Sequence, residues 1–80
     1  MTLQQLEYIV ALDKTRHFVR AAEMCKVTQP TLSAMIQKLE EELSCQIFDR
    51  SSHPIVPTEV GTMVIGHAQV YKAQQHPLEQ

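Results

Sequence analysis

No run of apolar residues in this chain approaches the ~18 needed to span a bilayer. The opening residues, Met1-Thr2-Leu3-Gln4-Gln5-Leu6, hold neither a basic start nor an apolar stretch of the kind that directs export. The expectation is a soluble, cytoplasmic protein with no membrane partner. Cysteine is scarce as well. Cys25 and Cys45 stand twenty positions apart with no Cys-x-x-Cys, a spacing that fits neither a disulfide framework nor a zinc site. The four histidines, His17, His53, His67 and His76, are scattered without a partner at ligand spacing, so no metal and no cofactor is expected. There is no nucleophile–base pair, acidic dyad or phosphate loop, and too little chain to build a pocket, which argues against an enzyme. With two Gly and four Pro, helices meet few breaks.

What is present is one small domain. Eighty residues, 44% hydrophobic and 20% charged, describe an ordinary folded chain. A domain of this size buries only about 60% of the surface that its unfolded form exposes. The net charge of −2 is unevenly spread. Residues 14–38 hold Lys14, Arg16, Arg20, Lys26 and Lys38 against Glu23 alone, while residues 39–80 hold two cations against six acids. A basic middle can present a positive face whatever the total, because a polyanion feels the local field.

Four helices are legible. Thr2 with Gln5 three residues later forms a capping box before the stripe Leu3, Leu6, Ile9 and Val10, and that helix is expected to end near Lys14. Phe18, Ala21, Ala22 and Cys25 mark a short second helix whose small face allows close approach, followed by a tight turn at Lys26-Val27. The third helix is the best marked. Thr28 is its cap, Pro30 sits in the first turn where a missing N–H costs nothing, and Val27 and Leu32 are placed as a hydrophobic staple. Leu32, Ile36, Leu39 and Leu43 form its apolar stripe, flanked by Met35, and Ser44 stands at its end.

Two short strand-like runs follow, Ile47–Arg50 and Ile55-Val56, joined by the polar turn Ser51-Ser52-His53-Pro54. Pro54 and Pro57 cannot donate to a ladder, so this hairpin is expected to be small and to lie at an edge. Thr58 caps the last helix, with Glu59 in its first turn. Gly61 and Gly66 are expected to weaken that helix by about 1 kcal/mol each relative to Ala, and Pro77 to end or kink it. Helix, helix, tight turn, helix, hairpin, helix is the layout of a mainly α winged helix-turn-helix. It has a three-helix core, a small β-hairpin wing and a C-terminal helix for dimerisation and linkage. The boundaries are 1–57 for the domain and 58–80 for the linker helix.

At about 100° per residue, the face of the third helix opposite its leucines carries Pro30, Ser33, Ala34, Gln37 and Glu41, with Gln29, Thr31 and Lys38 to the sides. This surface is small and polar, and Gln37 has an amide able to pair bidentately with adenine. Glu40, Glu41 and Glu42 are confined to the C-terminal end, expected to point away from a duplex entered N-terminus first. A solvated polar face is the competing reading from periodicity alone. The turn, the cap and the hairpin favour the groove.

These segments together resemble the N-terminal domain of the LysR-type transcriptional regulators. The residues that carry the resemblance are Leu3-x-x-Leu6-x-Tyr8-x-Val10, Phe18-x-Arg20-Ala21-Ala22-Glu23, Val27-Thr28-Gln29-Pro30-Thr31-Leu32-Ser33, Ile36-x-Lys38-Leu39-Glu40-x-Glu42-Leu43, Phe48-x-Arg50 and Thr58-Glu59-x-Gly61. Within that family, Leu6–Leu12, Arg16-His17-Phe18, Cys25 and Gln29–Ser33 are most similar to a peroxide-responsive subgroup. The resemblance implies a homodimer, or a tetramer of dimers, on double-stranded operator DNA. The helix over 28–43 would lie in the major groove and the wing over 47–56 near the minor groove.

Carried over residue by residue, Gln29, Pro30, Thr31, Ser33 and Gln37 fall at groove-facing positions. Arg20, Thr28, Lys38 and Arg50 fall at phosphate positions, with His53 at the wing tip. The last helix would pair with its counterpart through Val60, Met63, Val64, His67, Val70 and Tyr71. The family's larger effector-binding domain, where its redox cysteines lie, is not in these eighty residues, and Cys25 is expected to be a packing residue and not a sensor.

The chain departs from the family where many members carry Arg and it has Ala34 and Gln37. It departs again at Ser44, where many have Gly, and in a wing poor in cations. Three alternatives stay open. Arg20 has Glu23 as an intramolecular partner, Arg50 has Asp49 or Glu42, and the apolar stripe of the last helix divides between core and dimer seam. A winged helix used for protein–protein contact is the competing function.

Overall fold

The computed structural model describes residues 2–74. Its order is α1 (Leu3–Thr15), α2 (Phe18–Cys25), α3 (Gln29–Leu43), β1 (Phe48–Asp49), β2 (Val56–Pro57) and α4 (Glu59–Gln74). Pro77 and His76 lie outside the described residues. The winged helix-turn-helix reading holds: three helices pack against one another, a two-stranded antiparallel hairpin follows, and α4 returns across α1.

Local chemistry sets the helix starts. Thr2 Oγ1 accepts from the Gln5 N–H while Gln5 Oε1 accepts from the Thr2 N–H, so both side chains satisfy free donors of α1. Thr28 Oγ1 accepts from the Thr31 N–H with Pro30 in the first turn of α3, and Thr58 Oγ1 accepts from the Gly61 N–H at the start of α4. The ends are less ordinary. Arg16, Lys26 and Ser44 close the first three helices at φ of 54°, 60° and 56°. Left-handed backbone costs a residue with a Cβ about 1–2 kcal/mol. At Lys26 the cost is met by a double closure, its own N–H donating to the Ala22 and Glu23 carbonyls and the Val27 N–H to Ala22. This closure is the tight turn between α2 and α3.

The core draws on all four helices and on β1. Ile9, Leu12, Ala21, Leu32, Ile36, Leu39, Ile47 and Phe48 are fully buried, joined by Ile65 and Ala68 from α4. Cys25 packs against this cluster half-buried, and burial pushes its thiol pKa up, with the nearby Glu7 carboxylate adding to the effect. A raised pKa leaves less thiolate near neutrality, the opposite of a reactive cysteine.

Two expectations are corrected here. β1 is shorter than the run 47–50 and lies inside it, and β2 keeps the length of the run 55–56 but sits one residue later, with Phe48 opposite Pro57 and Asp49 opposite Val56. Ile47 is lost to the ladder because its N–H goes to Glu40 and its carbonyl to Thr58, while Ile55 turns into the core. Gly61 is also more than a weak point in α4. A Cβ built on it would lie 1.8 Å from the Ile47 carbonyl oxygen, so only glycine lets the first turn of α4 press against the strand entry. Gly66, by contrast, faces open space.

These surroundings set opposite expectations for two formally identical changes. Gly61→Ala should destabilise by about 3 kcal/mol or more, the upper range for overpacking, and Gly66→Ala should stabilise by up to about 1 kcal/mol. Urea denaturation followed by circular dichroism checks both. Equal effects would contradict the close approach at Ile47.

Candidate nucleic-acid interface

The outward face of α3 is available. Gln37, Pro30, Thr31, Thr28 and Lys38 are exposed and Ser33 is half-buried, whereas Leu32, Ile36 and Leu39 face the core with no exposed surface. Gln29 and Ser33 are one helical turn apart and already bonded, Gln29 Nε2 donating to Ser33 Oγ at 2.7 Å. That bond holds one face of the glutamine in place and leaves its carbonyl oxygen free of side-chain partners. Arg20 is exposed on α2 and forms no ion pair with Glu23.

Two grooves border this helix. One, about 580 Å³, runs between the second half of α3 and the wing entry. Ser33, Gln37, Glu41, Gln46 and Arg50 are among its lining residues. The other, about 410 Å³, is bounded by Gln29, by the α2 start at His17 and Phe18, and by the wing at Arg50, His53 and Pro54. Arg50 lines both. The structure therefore brings together Ser33, Gln37 and Arg50 on one side and Gln29, Arg50 and His53 on the other. Arg20, Thr28, Pro30, Thr31 and Lys38 line neither. Glu41 places a negative charge at the far end of the first groove, so the acids of α3 do not all lie clear of this face.

Arg50 has an intramolecular partner, but it is neither Asp49 nor Glu42. Its Nη2 donates to Glu40 Oε1 at 2.9 Å, and its Nη1 donates to Glu40 Oε2 and to the Phe48 carbonyl. Its guanidinium carbon lies 5.8 Å from the centroid of the Phe18 ring. Asp49 instead accepts from the Ser51 N–H and hydroxyl, which shapes the wing turn and holds its carboxyl below the usual range.

Glu40 was not singled out by sequence, although it lies four residues after Ile36 and so on the buried side of α3. It is 8% exposed, and Oε2 also accepts from the N–H groups of Ile47 and Phe48. A carboxylate removed from water to this degree is tolerable because four N–H donors converge on it.

A second face lies on α4. Its core side is Gly61, Ile65 and Ala68, none of which belonged to the apolar stripe read from sequence. Of that stripe, Val60, Met63, Val70 and Tyr71 are 44–64% exposed, His67 is exposed and Val64 is half-buried. An apolar groove of about 420 Å³ runs beside it, lined by Leu6, Leu43, Val64, Val70 and Tyr71 among others. Among the described residues, no helix is long and apolar enough to cross a membrane.

Known proteins share this arrangement. Residues 3–62 match the family described as bacterial regulatory helix-turn-helix protein, lysR family. The chain is 46% identical over 68 residues to the DNA-binding transcriptional dual regulator OxyR of Escherichia coli K12, covering 85% of this chain and 22% of that protein. Likewise, 44% identity over 68 residues relates it to the hydrogen peroxide-inducible genes activator of Haemophilus influenzae, covering 85% of this chain and 23% of that one. The chain thus spans about a fifth of the length of these curated relatives. Among solved structures, a full-length OxyR variant of Pseudomonas aeruginosa superposes with a TM-score of 0.91 at 46% identity, over 99% of this chain and 27% of that one. A complex of the BenM DNA-binding domain with its benA site 1 DNA superposes with a TM-score of 0.93 at 35% identity, over 98% of this chain and 88% of that one. With the helices, turn and wing in the same order and the family match covering residues 3–62, the chain belongs to the lysR family of bacterial regulatory helix-turn-helix proteins.

Proposed function

We propose that this chain binds operator DNA as the regulatory helix-turn-helix part of an OxyR-like transcription regulator in the cytoplasm. Residues 1–57 form the reading domain and residues 58–80 the linker and dimerisation segment, with α4 (Glu59–Gln74) as its described part. The observation that carries this reading is the small and polar outer face of α3, with Thr31, Gln37 and Lys38 exposed beside a wing that carries a fixed arginine. The superposable BenM domain is a DNA complex, which supports the same role for α3.

In this reading α3 enters the major groove N-terminus first. Gln29, Pro30, Thr31, Ser33 and Gln37 meet base edges. Arg20, Thr28, Lys38 and Arg50 meet phosphates, and His53 approaches the minor groove at the wing tip. Gln37 offers both an acceptor and a donor, the pattern that pairs with adenine. Cations are few, so each phosphate contact removed takes away a visible share of the counterion release.

The functional unit in this reading is a homodimer. The exposed α4 face and the groove beside it supply an apolar seam, and a second copy of α4 covers it. Two domains joined this way present their α3 helices to two half-sites of a dyad.

Fluorescence anisotropy with a palindromic duplex selected from a random pool tests the reading. Affinity should fall steeply as salt rises. Binding that is absent at low salt, or indifferent to salt, would favour a protein partner instead. Gln37→Ala should cost about 1–3 kcal/mol and relax preference at one base step. Equal weakening on every sequence would refute its base-reading role. Arg50→Ala should weaken binding to every duplex, selected or scrambled, and flatten the salt slope, and undiminished binding to a scrambled duplex would contradict its phosphate contact. For the seam, Val70→Glu should turn a sedimenting dimer into a folded monomer, and an unchanged sedimentation coefficient would place the dimer contact elsewhere.

A further inference from the structure

We infer that Glu40 is a positioning residue for DNA recognition, fixing Arg50 and the wing entry against α3 so that the specific complex can form in one register. This rests on the reading of Arg50 as a phosphate contact. Four donors converge on the Glu40 carboxylate: the N–H groups of Ile47 and Phe48, and Nη1 and Nη2 of Arg50. The two backbone bonds tie the wing entry to α3. The fork-to-fork pair with Arg50 sets the plane of the guanidinium, and the Phe48 carbonyl and the Phe18 ring hold it from two further sides.

The pinned guanidinium keeps N–H groups to spare. A guanidinium has five donors, and the Glu40 and Phe48 bonds occupy three of them. It lines the same groove as Ser33 and Gln37, with its side chain still 38% exposed. A phosphate lying along that groove meets a cation whose rotamer is already chosen, so little ordering is needed on binding. Glu40 borders the same groove but is 8% exposed, and its carboxylate would repel a phosphate, so it acts through Arg50 and the two peptides.

Charge and geometry separate in the test. A non-specific complex depends on charge, whereas a specific complex depends on the register that phosphate contacts impose. Glu40→Gln keeps a side-chain oxygen for the Ile47 N–H, removes one negative charge and breaks the fork. The experiment is anisotropy with two labelled duplexes, one selected by the wild-type chain from a random pool and one of scrambled sequence. Circular dichroism melting runs alongside. Binding to the selected duplex should fall about tenfold, the scale of one lost specific contact, while binding to the scrambled duplex holds or rises.

A parallel loss on both duplexes, or an unchanged ratio, would overturn the inference. Arg50→Lys gives an independent arm if Glu40→Gln fails to fold, because it keeps the cation and loses the fork. It should lose the same discrimination, and wild-type discrimination would refute the positioning role. Arg50→Ala separates the two layers. If it leaves both duplexes unaffected, the phosphate reading itself falls. If it weakens both while Glu40→Gln changes no ratio, only the role of Glu40 falls.

Discussion

Both peptide groups of Ile47 are committed to different helices, and the shape of the recognition surface depends on that. Its N–H donates to the Glu40 carboxylate on α3, and its carbonyl accepts from the Thr58 N–H at the start of α4. Its side chain is fully buried in the core. One residue thereby sets where the wing leaves α3 and where α4 begins. Thr58 adds to the junction by donating its hydroxyl to the Gln46 carbonyl while capping its own helix, and Gly61 removes the Cβ that would hold the two segments apart. The hairpin itself has only two residues per strand, far too little to be stable alone. Its position is inherited from the Ile47 junction and from the Glu40–Arg50 pair, not from its ladder.

Under the proposed function, the same junction would let a small domain bind DNA with few cations at its surface. An arginine on a free chain must be ordered on contact, and a long side chain loses about 2 kcal/mol of rotamer freedom when it is held. Arg50 has been held beforehand by Glu40, Phe48 and Phe18. The Gln29–Ser33 bond does the same for a glutamine on the exposed face of α3. In the proposed complex, ordering a few side chains in advance would compensate for a wing that lacks further basic residues.

Much of this fold was legible in the sequence, because the signals were local. The Thr2–Gln5 box, the Thr28 cap with Pro30, and the Leu32/Ile36/Leu39 stripe each describe contacts within one or two helical turns, and each is found in the structure. What was missed was non-local. Glu40 was read with its acidic neighbours, although its spacing from Ile36 placed it on the core side, and its four donors come from seven to ten residues away. The strand boundaries slipped because the groups that would have extended the ladder at Ile47 are claimed by other elements. Gly61 looked like a defect because the Ile47 carbonyl that excludes a side chain there is fourteen residues distant. On α4 the run of Val60, Met63, Val70 and Tyr71 drew attention to the outer face, whereas the face that packs inward is built from Gly61, Ile65 and Ala68, two of them small. Small residues bury well and announce themselves poorly in a hydrophobic pattern.

Net charge was the least informative property of this chain, since −2 overall coexists with a basic middle segment and a proposed recognition face free of acid until Glu40. The claim on which the functional account turns is that a duplex seats on α3 and the wing. Backbone amide NMR of the labelled chain, titrated with the selected duplex, reads this directly. The account predicts that the largest shifts fall on residues 28–38 and on the wing from Arg50 to His53, with Tyr8, Ile9 and Leu12 of α1 little moved. Shifts concentrated on α1 or the outer face of α4, with α3 unperturbed, would contradict it.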